Sequence, residues 1–103
     1  MHTLLQFDEP MTGGDGRRYS ARVCAGEDDR GHWRAWIEFE DTEDSARVLR
    51  TDFETTQPNR RDTEYWATGL SRVYLEGALA RALGGPPGEE PRLGRSTPPE
   101  SRA

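Results

Sequence analysis

The sequence predicts an α+β domain, a three- or four-stranded antiparallel meander packed against one or two C-terminal helices. Three observations predict it. Apolar residues recur at every second position from Tyr19 to Ala25 and again from Trp33 to Phe39, the period of a half-buried strand. Beyond Asn59 the apolar spacing changes to three and four, the period of a helix. Pro58 stands between the two regimes and holds Gln57 extended, which ends the strand region.

The strands come first. In "RYSARVCA", Tyr19, Ala21, Val23 and Ala25 share one face while Arg18, Ser20, Arg22 and Cys24 share the other. "GEDDRG" is a turn bounded by Gly26 and Gly31. "HWRAWIEFE" then places Trp33, Ala35, Ile37 and Phe39 on one face, with Arg34, Trp36, Glu38 and Glu40 on the other. The two segments read as an antiparallel hairpin with one oily face. "DTEDS" turns the chain again, and "ARVLRTDF" supplies a third strand. Val48 and Leu49 are adjacent, so only one of them enters the core; the parity chosen here sends Leu49 inward and Phe53 with it. Residues 1–16 form an arm or edge strand, with Leu4, Leu5 and Phe7 as its apolar residues.

The helices follow. Asn59 is a natural N-cap, and Asp62 and Glu64 suit the positive end of the helix dipole. Gly69 interrupts this helix, and Ser71 can cap a second one. In that second helix Leu75, Ala78, Leu79, Ala82 and Leu83 make one apolar stripe, while Val73, Gly77 and Ala80 make a face of small side chains that permits close helix approach. Gly84, Gly85 and Pro86 stop it. The single α+β domain therefore spans residues 17–83. Residues 84–103 hold five of the seven prolines and four of the eleven glycines, with Leu93 as the only large apolar side chain. Such a composition buries too little to offset its ordering entropy, so this stretch reads as a disordered tail.

Charge and composition exclude several functions. Residues 1–83 carry 11 Arg against 16 Asp plus Glu, net −5, and such a surface repels phosphate at long range. Nucleic-acid binding is therefore not expected. A lone cysteine, Cys24, allows neither an intrachain disulfide nor a thiolate metal cluster. No apolar run approaches the length of a membrane span, and the first residues lack the pattern of a secretory signal, so a cytoplasmic location is expected.

The candidate chemistry is sparse. The acidic turns around Asp28 and around Asp41 to Asp44 fall at opposite ends of a meander, so they do not converge on a metal. Cys24 and His32 flank one turn, but no third group is evident to orient the histidine. No catalytic residue, metal site or cofactor is therefore expected. Trp36 faces away from the oily side and must be covered by the Leu4-to-Phe7 arm, covered by a helix, or offered to a partner. Arg60 and Arg61 oppose the dipole of the helix that they begin and need counter-charge. Asp28, Asp29 or Glu54 would supply it within the chain; otherwise the arginines, with Gln57 and Asn59, form a pocket for an anion or a partner carboxylate. Tyr65 and Trp66 diverge around the helix, so one enters the core and the other borders the Trp36 side or a partner. Trp66 joins Gln57, Asn59, Arg60, Arg61 and Trp36 as a candidate partner-binding residue.

The layout of "YSARVCAGEDDRGHWRAWIEF" followed by "EYWATGLSRVYLEGALARAL" resembles the HicB-type antitoxin domain in its order of strands and helices. That resemblance implies a dimeric sheet-and-helix unit that binds a small protein partner. The segment "TTQPN" replaces the Gly-rich stretch that such domains carry before the helix. The combination "ETTQPN", "YWATGL" and "YLEGAL" is also similar to short uncharacterised bacterial proteins, which implies no activity. The expectation is thus a small non-catalytic interaction or accessory domain, homodimeric through a sheet edge or the small-residue helix face. An anion or small-ligand sensor at Asn59 to Arg61 is the alternative.

Overall fold

The computed structural model describes residues 1–84. The tail expected from its composition lies outside the described residues apart from Gly84. The elements are β1 (His2–Gln6), β2 (Met11–Thr12), β3 (Arg18–Glu27), β4 (Trp33–Asp41), β5 (Asp44–Arg50), β6 (Thr55–Gln57), α1 (Arg60–Thr68) and α2 (Arg72–Ala82). The α+β class, the antiparallel sheet and the two helices are those that the sequence predicts.

A long central hairpin organises the sheet. β3 and β4 stay in register from Tyr19 opposite Asp41 to Glu27 opposite Trp33. Its turn is closed locally, because Asp28 Oδ1 accepts the backbone N–H groups of Arg30 and His32, both at 2.9 Å. Gly31 supplies the positive φ of 82° that the turn needs. Each flank of this hairpin is filled by two short strands rather than one. β1 and β2 both pair with β3, and β5 and β6 both pair with β4. Six strands thus occupy four positions.

The break between β5 and β6 corrects one expectation. Leu49 is fully buried, as its parity requires. Thr51 then replaces regular ladder bonding: its N–H donates to the Ile37 carbonyl at 2.9 Å, and its Oγ1 accepts the Ile37 N–H at 3.1 Å. The chain rejoins β4 when the Glu54 N–H donates to the Ala35 carbonyl at 2.7 Å. Strict alternation is lost across Asp52 and Phe53. Phe53 consequently lies beside Trp36 on the opposite face, with ring centroids 5.8 Å apart, instead of entering the core with Leu49.

The core lies between one sheet face and the helices. Tyr19, Ala21, Val23, Ala25, Ala35, Ile37, Phe39 and Leu49 meet Ala67, Leu75, Ala78, Leu79 and Ala82. Burying each large member stabilises the fold by roughly 1.5–3 kcal/mol, and the alanines let the helices sit close to the sheet. Both predicted caps form: Asn59 Oδ1 accepts the Asp62 N–H at 2.8 Å, and Ser71 Oγ accepts the Tyr74 N–H at 3.1 Å. The loop before β3 is held against the end of α2. A Cβ on Gly13 would come within 2.8 Å of Asp15 Oδ1, 2.9 Å of Leu83 Cδ1 and 3.2 Å of Tyr19, so a larger residue there would have to push those side chains aside.

Candidate interaction surface

Trp36 is 8% exposed and is covered from within the chain. Its covering is neither the N-terminal arm nor a helix. The Arg50 guanidinium lies 4.5 Å from its ring centroid, Phe53 packs beside it, and its Nε1–H donates to Glu38 Oε2 at 2.9 Å. Arg22 completes the layer, donating to Glu38 Oε1 through Nε at 3.1 Å and Nη2 at 2.9 Å, and through Nη1 to Glu40 at 2.8 Å. Burial raises the Glu38 pKa, but the bonds from Trp36 and Arg22 outweigh it and hold the carboxyl below its usual range. The arm joins the sheet as β1, where His2 stacks on Trp33 at 5.6 Å.

Cys24 lies opposite Trp36 in register and is fully buried. Burial, with the nearby Glu38 charge, pushes its thiol up to about 11, so it is not a thiolate at neutral pH. His32 is half exposed at the turn, with Nδ1 3.8 Å from Asp28. The two do not form a nucleophile and base pair.

The helix start departs from expectation. Arg60 Nε donates to Glu64 Oε2 at 2.8 Å, and its guanidinium lies 5.8 Å from the Trp33 ring centroid. Asp28 is occupied by its own turn and by Arg34 Nε at 3.6 Å, so it does not serve Arg60 or Arg61. Glu54 is taken by Arg81 and Tyr74 of α2. The counter-charge for Arg60 therefore comes from one turn further along α1. Arg61 is exposed and makes no hydrogen bond or ion pair among the described residues.

Beside this helix start lies an open groove of about 540 Å³, lined by Gln57, Asp62, Tyr65, Trp66, Leu70 and Tyr74. Gln57 reaches it from the end of β6, where its Nε2 donates to Thr55 Oγ1 at 2.8 Å. Trp66 and Tyr74 meet edge to face at 6.5 Å, which fixes the groove wall. Trp66 packs partly against the core through its position near Ala67, whereas its neighbour Tyr65 is 82% exposed. The predicted divergence of the two rings thus occurs, with Tyr65 outermost. On the next face of α2, Val73 is 77% exposed, and Gly77 and Ala80 are exposed beside it. A Cβ on Gly77 would meet nothing within 4 Å, so packing within the chain does not require glycine there.

Gln57 and Trp66 therefore converge, and Asn59, Arg60 and Arg61 lie at the adjoining start of α1. Trp36 does not belong to this surface. Tyr65, which the sequence places beside Trp66 as one of two diverging rings, belongs to it, and so does Tyr74, for which the sequence signal is only that it lies off the apolar stripe of its helix. Among the described residues no three His, Cys, Asp or Glu side chains gather to hold a metal ion. No helix among them is long and apolar enough to cross a membrane. Comparison with known proteins found no matching family model, no similar curated protein and no similar solved structure.

Proposed function

We propose that this chain is a small non-catalytic protein-interaction or accessory domain of the cytoplasm that docks through the outer surface of its helices. The observation that carries this reading is Tyr65, an aromatic ring left 82% exposed beside the Trp66–Tyr74 groove. Aromatic side chains on a contiguous surface supply the anchoring area of protein interfaces, while scattered single apolar residues do not. Val73, Gly77 and Ala80 extend the same side of the molecule with small residues that let a second helix approach. A second copy of the chain is the partner that this surface fits most directly, because one helix face can pack on its own symmetry mate. A heterologous protein partner, as the likeness to HicB-type antitoxin domains implies, is the other form of the same reading. Light scattering of the full chain over a concentration series tests self-association: a mass that rises toward twice the monomer supports it, and a constant monomer mass rejects it.

A second reading rests on Arg61, which lacks a counter-charge among the described residues. With the helix start at Asn59 and Arg60 it would sense an anion. The Asp62 N–H is already occupied by the Asn59 cap, which weakens that site. A sulfate-dependent rise in melting temperature that Arg61→Ala abolishes would support it; equal responses of both proteins would reject it.

A further inference from the structure

The groove beside Tyr65 is walled by aromatic rings that solvent can reach. Tyr65 is 82% and Tyr74 36% exposed, and Trp66, edge to face with Tyr74, is half-buried. Gly69 lines the same groove without a side chain, although the fold does not require glycine there. Its φ of −90° suits any residue, and a Cβ would meet only the Trp66 carbonyl oxygen, at an ordinary 3.6 Å. What a side chain at position 69 would take up is groove space. The Trp66 Nε1–H makes no hydrogen bond among the described residues, which leaves an indole donor for an incoming carbonyl. Aromatic-lined grooves recognise polyproline segments: proline rings pack on the aromatic faces, and a chain without internal hydrogen bonds keeps its carbonyls free to accept.

The chain carries such a segment. Residues 85–103 lie outside the described residues and contain Pro86, Pro87, Pro91, Pro98 and Pro99. They continue from Gly84, about 15 Å from Tyr74 at the helical rise of α2. A polyproline chain from Gly84 to Pro91 spans about 22 Å, enough to return to the groove. The charges agree. Asp62, in the groove lining, makes no ion pair among the described residues, and Arg92 follows Pro91 directly. A tether this short holds the segment at an effective concentration in the millimolar range, where a weak contact is already populated.

We propose that the groove holds the chain's own proline-rich segment, with Pro91 against the Trp66 and Tyr74 rings and Arg92 at Asp62. This rests on the groove that the docking reading uses, but it needs no second copy. A partner that docks beside Tyr65 then meets the segment and competes with it.

Nuclear Overhauser contacts in the full chain test it. The Pro91 ring protons should show contacts to the Trp66 and Tyr74 rings and upfield ring-current shifts, both unchanged on dilution. A Pro91→Ser, Arg92→Ser double variant, altered only outside the described residues, should move the Trp66 indole and Gly69 amide resonances and leave the β3–β4 hairpin in place. Added salt should weaken the contact in the wild type. The proposal is overturned by the absence of Pro91 contacts to these rings, by identical Trp66 and Gly69 resonances in the two proteins, or by contacts from Pro98 or Pro99 instead. Contacts that vanish on dilution also overturn it, since they assign the segment to a second copy. Sedimentation of the same samples separates the two readings: a monomer with these contacts keeps the segment in the groove and removes the dimer, and a dimer without them does the reverse.

Discussion

Glu54 accepts hydrogen bonds from both terminal nitrogens of Arg81, at 2.8 and 3.0 Å, and the Tyr74 hydroxyl donates to the same carboxylate. The Glu54 side chain is 4% exposed and that of Arg81 53%, so the acid is the buried partner. This clasp fastens the last turn of α2 to the break between β5 and β6, where regular ladder bonds are missing. Glu54→Ala should lower unfolding free energy by about 2 kcal/mol, since it removes charge-assisted bonds and strands the Tyr74 hydroxyl. Urea denaturation would register this as a lower midpoint at unchanged slope.

The same carboxylate sets an acid limit on stability. Burial raises the Glu54 pKa, but the bonds from Arg81 and Tyr74 outweigh it and bring the carboxyl below its usual range. Glu38 is lowered in the same way by Trp36 and Arg22. A folded-state pKa below the unfolded one means that the unfolded chain binds more protons in that interval. The stabilisation is complete above the unfolded value, about 4.3 for a glutamate, and is lost as pH falls through the folded values. Melting temperature should therefore be nearly flat between neutrality and about pH 5 and drop below about pH 4. In Glu54→Gln the drop should be shallower. A melting temperature rising on acidification would contradict this.

Asn59 holds the start of α1 through the Asp62 N–H, and the Thr63 hydroxyl donates to the Asn59 carbonyl at 2.8 Å. Asn59→Ala should cost about 1 kcal/mol, with fraying confined to the first turn of α1. Amide exchange should accelerate at Asp62 and Thr63 while the β3–β4 hairpin keeps its protection.

Gly77 offers a test in which stability and association move in opposite directions. A methyl group there meets nothing within 4 Å, so Gly77→Ala should stabilise the isolated domain by about 0.5–1 kcal/mol. If a second helix packs on this face, the same methyl group should weaken self-association.

What the sequence revealed depended on how locally each feature is determined. The strand parity from Tyr19 to Phe39 follows from simple alternation, and the caps at Asn59 and Ser71 depend on nearest neighbours. Phe53 was misplaced because the Thr51 hydroxyl took over a backbone role and broke the alternation, which no periodicity encodes. The partners of Arg60 and Glu54 were misassigned for a related reason. Many acids lay within plausible reach, and the choice fell to Glu64 and Arg81 through helix geometry and the position of α2. Trp36 looked like a partner residue because its cover, Arg50 and Phe53, comes from the outer strand and the irregular segment after it. The groove was half legible: Gln57 and Trp66 were chosen, but Tyr74 joins them only once the two helices are folded against each other.

Docking through the helical surface is tested most directly by sedimentation equilibrium of the full chain beside Tyr65→Glu. Tyr65 is 82% exposed, so the substitution should leave the melting temperature unchanged and isolate the surface from the fold. The wild type should show concentration-dependent dimerisation that the variant loses. Two proteins with the same monomer mass at every concentration, or a variant that dimerises as well as the wild type, would contradict the account.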